Sequence, residues 1–184
     1  ASDMSGNGNH GTVHGATLAI DRHGHINKAY SFDGVNDYIS MSITNNNDLT
    51  FSAWIKIDSF SNQYPKVFDL GSSYPFFRIG FAGNTNSNAN AGIVGKMDSL
   101  STTAAGTHGS ILSYGIQPTN TWLNVVSSLG VGSNHTTFLN GQLVVQSNYT
   151  YTPSSTGSLK IGTDFAMGAS QFFNGSIDDV RIYD

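Results

Sequence analysis

An antiparallel two-sheet β-sandwich of the jelly-roll type is the fold this sequence predicts. Apolar residues recur with a period of two rather than 3.6, in short runs bounded by Gly, Asn, Asp or Ser. The cleanest run is Leu49 to Ile57, where Leu49, Phe51, Ala53, Ile55 and Ile57 alternate with Thr50, Ser52, Trp54, Lys56 and Asp58. The C-terminal third then sets three strand-like runs in close succession. They are Phe138-Leu139-Asn140-Gly141-Gln142-Leu143-Val144-Val145, Leu159-Lys160-Ile161-Gly162, and Phe173-Asn174-Gly175-Ser176-Ile177-Asp178-Asp179-Val180-Arg181-Ile182-Tyr183. Many short strands without crossover helices leave an all-β sandwich as the architecture. No shift in composition divides the chain, so residues 1–184 are read as a single domain.

Along the chain, Ser5 to Gly11 is a flexible Gly- and Asn-rich stretch. Ala29 to Phe32 and Tyr38 to Ile43 are strands flanking the turn Asp33-Gly34-Val35-Asn36-Asp37. In Leu49 to Ile57 the apolar set is assigned to the core, because alternation over nine residues is what a half-buried strand requires. Further strands are expected at Lys66–Leu70, Phe76–Phe81, Gly92–Asp98, Ser110–Tyr114, Trp122–Ser128, Thr136–Leu139, Gln142–Ser147, Leu159–Ile161 and Ser176–Tyr183. Asn140-Gly141 accepts the two positive φ angles of a type I′ turn and closes a hairpin. Asn84–Ala91 and Ser99–Ser110 read as exposed loops.

Composition narrows the function. Only 11% of residues are charged, the formal net charge is −4, and 11 Phe, eight Tyr and two Trp supply the bulk of a β-core. No basic stripe is present to neutralise phosphates, which excludes nucleic acid as a partner. No apolar run approaches the ~20 residues that span a bilayer, which excludes membrane insertion by a helix. Cysteine is absent, so neither a disulfide framework nor thiol chemistry is available. The chain begins at Ala1 with no signal peptide and is expected to be a mature or excised segment of a secreted protein.

All 12 acidic residues are Asp. Glycosidases of the Glu-pair type are thereby excluded, since two carboxyls must flank the scissile bond at about 5–5.5 Å or 6.5–9.5 Å. Asp178-Asp179 is the one adjacent acidic pair, and strand alternation is expected to send its carboxylates to opposite faces.

The chain resembles the bacterial laminin-G-like jelly rolls of the concanavalin A-like lectin/glucanase fold. The resemblance runs through Asp3-Met4-Ser5-Gly6-Asn7-Gly8, Phe32-Asp33-Gly34-Val35-Asn36-Asp37-Tyr38-Ile39 and Thr50-Phe51-Ser52-Ala53-Trp54-Ile55-Lys56. It continues through Trp122, Leu139-Asn140-Gly141, Ile161-Gly162 and Phe173 to Tyr183. It implies a scaffold that serves widely as a carbohydrate-binding module, with Trp54 and Trp122 as framework positions, and it implies a structural Ca²⁺. Asp33, Asn36 and Asp37 offer three oxygen side chains on one turn, and Asp178 and Asp179 are expected to approach them if the last strand lies alongside. The competing reading is that Asp33 and Asp37 cap the turn, and that Asp178 or Asp179 pairs with Arg181 or Lys28.

For sugar recognition the residues that stand out are Tyr74, Phe76, Arg78, Lys96, His108 and Tyr114. Aromatic planes stack on pyranose rings, and cations read acidic substituents. If Phe77, Ile79 and Phe81 face the core, Phe76, Arg78 and Gly80 face outward. His108, Tyr114, Arg78 and Asn124 also supply the parts of a polysaccharide lyase. His23-Gly24-His25 lacks a third ligand and reads as a polar loop.

The function expected is a non-catalytic carbohydrate-binding module that tethers a parent catalytic domain of the same polypeptide to an acidic or algal polysaccharide. The alternatives are an adhesion domain of a bacterial surface protein and a polysaccharide lyase.

Overall fold

The computed structural model describes residues 1–44, 48–60, 65–70, 77–82, 96–97, 119–130, 135–147, 156–169 and 171–183. The described residues form thirteen strands: β1 (Thr12–His14), β2 (Thr17–Ala19), β3 (Ala29–Asp33), β4 (Tyr38–Thr44), β5 (Leu49–Ile57), β6 (Lys66–Leu70) and β7 (Phe77–Ala82), then β8 (Lys96–Met97), β9 (Trp122–Leu129), β10 (His135–Leu139), β11 (Gln142–Ser147), β12 (Thr156–Ile161) and β13 (Asn174–Tyr183). They form two antiparallel sheets, one of six strands ordered β1-β4-β12-β6-β7-β8 and one of seven ordered β11-β10-β9-β5-β13-β3-β2. Among the described residues no helix is long and apolar enough to cross a membrane.

The period-two pattern becomes the core directly. Leu49, Phe51, Ala53, Ile55 and Ile57 are all buried, while Thr50, Ser52, Trp54 and Lys56 between them are half-buried. Each fully buried Leu, Ile or Phe contributes about 1.5–3 kcal/mol relative to exposure. Phe51 on β5 stacks on Phe68 on β6 with ring centroids 3.8 Å apart, joining the two sheets through the centre of the sandwich. Phe32 and Phe173 meet edge to face at 6.3 Å beside them.

The Asn140-Gly141 hairpin forms as expected, with φ of 48° and 77° at the two residues. Strands β1 and β2 were not legible in the sequence. Thr12–His14 pairs with β4, and Thr17–Ala19 pairs with β3. Each is only three residues long, too short to display alternation. The predicted strand Ser110–Tyr114 lies outside the described residues, and of the predicted Gly92–Asp98 only Lys96–Met97 lies within them.

Candidate glycan-binding face

Strand β12 sends Leu159 and Ile161 into the core and therefore turns Lys160 to the outer face of the six-stranded sheet. Register places Thr12, Ser40, Lys160, Asp69 and Arg78 in one row across five strands, each opposite the next. Residues directly opposite in an antiparallel pair share a face.

The connection from β12 to β13 folds back over this row. The backbone amide of Phe165 donates to Asp69 Oδ2 at 2.9 Å, and Lys160 Nζ donates to the Phe165 carbonyl at 3.1 Å. The ammonium also lies 5.4 Å from the Tyr38 ring centroid and 5.1 Å from that of Phe165. Tyr38 in turn stacks on His14 of β1 at 4.2 Å, and His14 Nε2 meets Ser40 Oγ at 3.1 Å. Two rings and an imidazole thus rim one side of the row.

On the other side is a polar groove of ≈ 360 Å³, lined by Asn9, His10, Thr12, Ser40, Ser42 and Ser158 among others. Its far wall is the N-terminal loop, tied down by Asp3. Asp3 Oδ1 accepts the Ser5 amide at 2.8 Å and Oδ2 the Asn9 amide at 2.9 Å. Hydrogen bonding by the Ser5 side chain, together with these two amides, holds the Asp3 carboxyl below the usual carboxylate range. The stretch expected to be merely flexible therefore builds one side of a groove.

Of the residues singled out from the sequence, Tyr74, Phe76, His108 and Tyr114 lie outside the described residues. Arg78 occupies the register position opposite Asp69. Lys96 sits on the adjacent strand, opposite Ala82. Four residues separate Ala82 from Arg78, about 14 Å along a strand, so the two cations occupy neighbouring strands but distant positions. Asn124 lies on β9 of the other sheet, with its side-chain amide donating to the Ala53 carbonyl at 3.4 Å. It is therefore not a neighbour of Arg78. Sequence reading missed Lys160 and Tyr38; the outward position of Lys160 between two core residues was visible, but its neighbours across the sheet were not.

The five residues proposed for calcium fall into two groups. Asp33 Oδ1 accepts the amides of Val35 at 2.7 Å and Asn36 at 3.2 Å, and Asp37 Oδ2 accepts the Asp33 amide at 3.0 Å. Burial raises the Asp33 pKa, but these amides outweigh it and leave the carboxyl below its ordinary range. Burial pushes the Asp37 carboxyl up, with the Asp33 charge adding to it against the opposing Asp33 amide. Asn174, not Asp178, stands opposite Asp33 on β13, and Asp178 lies four residues, or about 14 Å, further along.

There the two carboxylates meet Arg22. Nη1 donates to Asp178 Oδ2 at 2.6 Å and Nη2 to Asp179 Oδ2 at 3.2 Å, while Arg181 Nε donates to Asp179 Oδ1 at 3.0 Å. The expectation that alternation separates Asp178 from Asp179 is corrected here. A bulge between Asp178 and Arg181, with Asp179 at φ 49°, brings both carboxylates to one guanidinium. The five residues do not form one calcium donor set, and among the described residues no cluster of three His, Asp or Glu has metal-binding geometry.

Trp54 and Trp122 are on the outer face of the seven-stranded sheet. Arg22 lies 5.2 Å over the Trp54 ring and Lys56 lies 5.8 Å over that of Trp122. His23 and His25 flank Asp21, whose carboxylate accepts both backbone amides at 2.8 Å and the His25 ring at 3.0 Å. Burial opposes ionisation of Asp21, but these bonds prevail and bring its pKa down to about 2.

The chain is similar to domain 4 of AbnA, a GH43 extracellular arabinanase from Geobacillus stearothermophilus solved with arabinotriose. The TM-score is 0.67 at 18% identity, covering 95% of this chain and 82% of that one. It is similar to the carbohydrate-binding module CBM66 from Bacillus subtilis, with TM-score 0.50, 14% identity and 95% of both chains covered. It also matches part of the Trypanosoma rangeli sialidase solved with sialic acid, with TM-score 0.67 and 14% identity, covering 96% of this chain but 27% of the sialidase. At these identities the likeness is one of fold. No curated protein matches the chain. The family model that matches does so over residues 33–184, and by that match this chain belongs to the concanavalin A-like lectin/glucanases superfamily.

Proposed function

We propose that this domain is a non-catalytic carbohydrate-binding module, carried by a secreted protein that acts on polysaccharides, and that it binds its glycan on the outer face of the six-stranded sheet. The observation that carries this reading is the pairing of a hydroxyl-lined groove with an aromatic rim: Thr12, Ser40, Ser42 and Ser158 on one side, His14, Tyr38 and Phe165 on the other. A saccharide has the matching chemistry, with hydroxyls that exchange hydrogen bonds and C–H faces that lie on rings. A face of Ser, Thr and Asn alone would have favoured an adhesion domain; the rings tip the balance to sugar. The arabinanase domain solved with arabinotriose and the module CBM66 support the reading by analogy of fold.

Binding of this kind raises the local concentration of an attached catalytic domain on its polymer. Acidic and algal wall polysaccharides are the first ligands to try, since Arg78 and Lys160 stand in one row. Catalysis has little to work with among the described residues, because Asp178 and Asp179 are tied up in ion pairs with Arg22 and Arg181.

Affinity electrophoresis against neutral and acidic plant and algal polysaccharides tests the proposal, with the same mixtures assayed for reducing ends and unsaturated products. Retardation without product is expected. Product formation would make the domain an enzyme, and an absence of retardation on every polymer would move the adhesion reading to the front.

A further inference from the structure

Among the described residues Lys160 is a cation without an ion-pair partner. The residue is 9% exposed, and among the described residues no carboxylate lies within ion-pair distance of its Nζ. Its polar contact is one donated hydrogen bond, to the Phe165 carbonyl, and the remaining donors lie between the Tyr38 and Phe165 rings. Rings and a carbonyl soften the cost of desolvating an ammonium but do not supply a full negative charge. Three other described cations are better matched: Arg22 and Arg181 pair with Asp178 and Asp179, and Lys56 approaches Asp58.

The position matters as much as the missing charge. Ser40, directly opposite Lys160, lines the polar groove, as does Ser158, two residues earlier on the same strand and about 7 Å away. Lys160 therefore borders the proposed glycan groove in register, with its ammonium turned toward the Tyr38 and Phe165 rim beside it. In the row that crosses the sheet, Asp69 stands between the register positions of Lys160 and Arg78.

We infer that Lys160 is the anion-reading subsite of this face and that the bound glycan carries an acidic substituent, its carboxylate or sulfate oxygens taking the free N–H donors of Lys160. This rests on the carbohydrate-binding reading and deepens it by naming the ligand class. An anion there replaces water around a cation already largely stripped of it, which makes a charge-assisted hydrogen bond stronger than on an open surface. Tyr38, already stacked on His14, positions the ammonium, and the exposed Phe165 both positions it and offers ring surface to the sugar.

The test uses the intact domain and matched polymers: polygalacturonate beside its carboxyl-reduced form, and a sulfated galactan beside its desulfated form. Lys160→Met retains most of the stem and removes the charge. The expected result is loss of about tenfold or more in affinity for the acidic polymer, with affinity for the neutral counterpart changed less than about twofold. Which acidic polymer responds separates carboxylate from sulfate. An equal loss on both members of a pair, or no loss on either, overturns the inference while leaving carbohydrate binding in place. Failure of every polymer to bind the wild-type domain overturns both.

If Lys160→Met does not fold, the wild-type protein still decides the matter. Free galacturonate or inorganic sulfate should compete where galactose at equal concentration does not, and retention should weaken as salt rises. Competition by galactose alone, or retention indifferent to salt, contradicts an anion subsite.

Discussion

Arg22 and Asp178 are 156 positions apart in the sequence and 2.6 Å apart in space. The contact fastens the turn after β2 onto the bulge of β13, and the same guanidinium covers Trp54. Arg22 thus covers part of the outer face of the seven-stranded sheet. Replacing Arg22 with Met keeps the apolar stem but leaves the nearly buried Asp178 carboxylate without its cation, while Asp179 retains Arg181. The expected cost is about 2 kcal/mol. For a chain of this size that is a fall in Tm of roughly 4–8 °C. A urea midpoint unchanged from wild type would mean that the clamp contributes nothing to the fold.

His135 gives the domain an acid limit. It is fully buried, with Nε2 meeting Ser127 Oγ at 2.8 Å and Thr137 Oγ1 at 3.1 Å. Burial disfavours the imidazolium and brings the pKa from 6.5 down to about 4. The folded state therefore resists a proton that the unfolded state accepts. Stability is complete above pH 6.5 and falls as pH drops toward 4, with a total loss of about 3 kcal/mol from this group. Urea unfolding at pH 7, 5.5 and 4.5 should show the decline, and His135→Gln should reduce its slope. A flat profile in the wild type across that range would contradict the assignment.

Phe51 and Phe68 are the joint between the sheets. Phe51→Ala is expected to lower stability by about 3–5 kcal/mol through lost burial and the cavity left behind. Thr50→Ala, one residue away on the outer face, loses one hydrogen bond of 3.1 Å to Ser128 and should cost no more than about 1 kcal/mol. Comparable effects from the two would contradict the inward and outward assignment of β5.

Gly175 stands where β13 crosses β5 most closely. Its φ is 150°, and a Cβ there would lie 2.1 Å from the Lys56 carbonyl oxygen, a backbone atom that cannot turn aside. Gly175→Ala is expected to destabilise the domain by about 2 kcal/mol or more. Gly141→Ala is the control, since its φ is positive but no atom lies within 4 Å of the added carbon. It should cost less, and chemical denaturation of the two variants measures the difference.

What was legible in the sequence follows from the range of each signal. Period-two burial is local, so β5 and its core face were readable residue by residue, as was the Asn140-Gly141 turn. Register is not local. That Lys160 stands opposite Ser40 and Asp69 depends on strands more than 80 residues apart, and no spacing announces it. The same limit explains Asp178 and Asp179. Alternation was the right rule for a regular strand, but the positive φ at Asp179 re-aims its side chain, and Arg22 arrives from the far end of the chain. The aromatic and cationic surface expected from the sequence centred on Arg78, whereas the one proposed from the fold centres on Tyr38, Lys160 and Phe165, which come from strands and a connection whose meeting only the fold reveals.

The central claim is that a glycan binds on the outer face of the six-stranded sheet, and backbone and indole NMR during titration with an acidic oligosaccharide tests it most directly. Resonances of Tyr38, Ser40, Ser158, Lys160 and Phe165 should move in a saturable way, while the indole signals of Trp54 and Trp122, on the opposite face, stay in place. Saturable shifts confined to the two indoles, or no shifts with any oligosaccharide, would contradict the account.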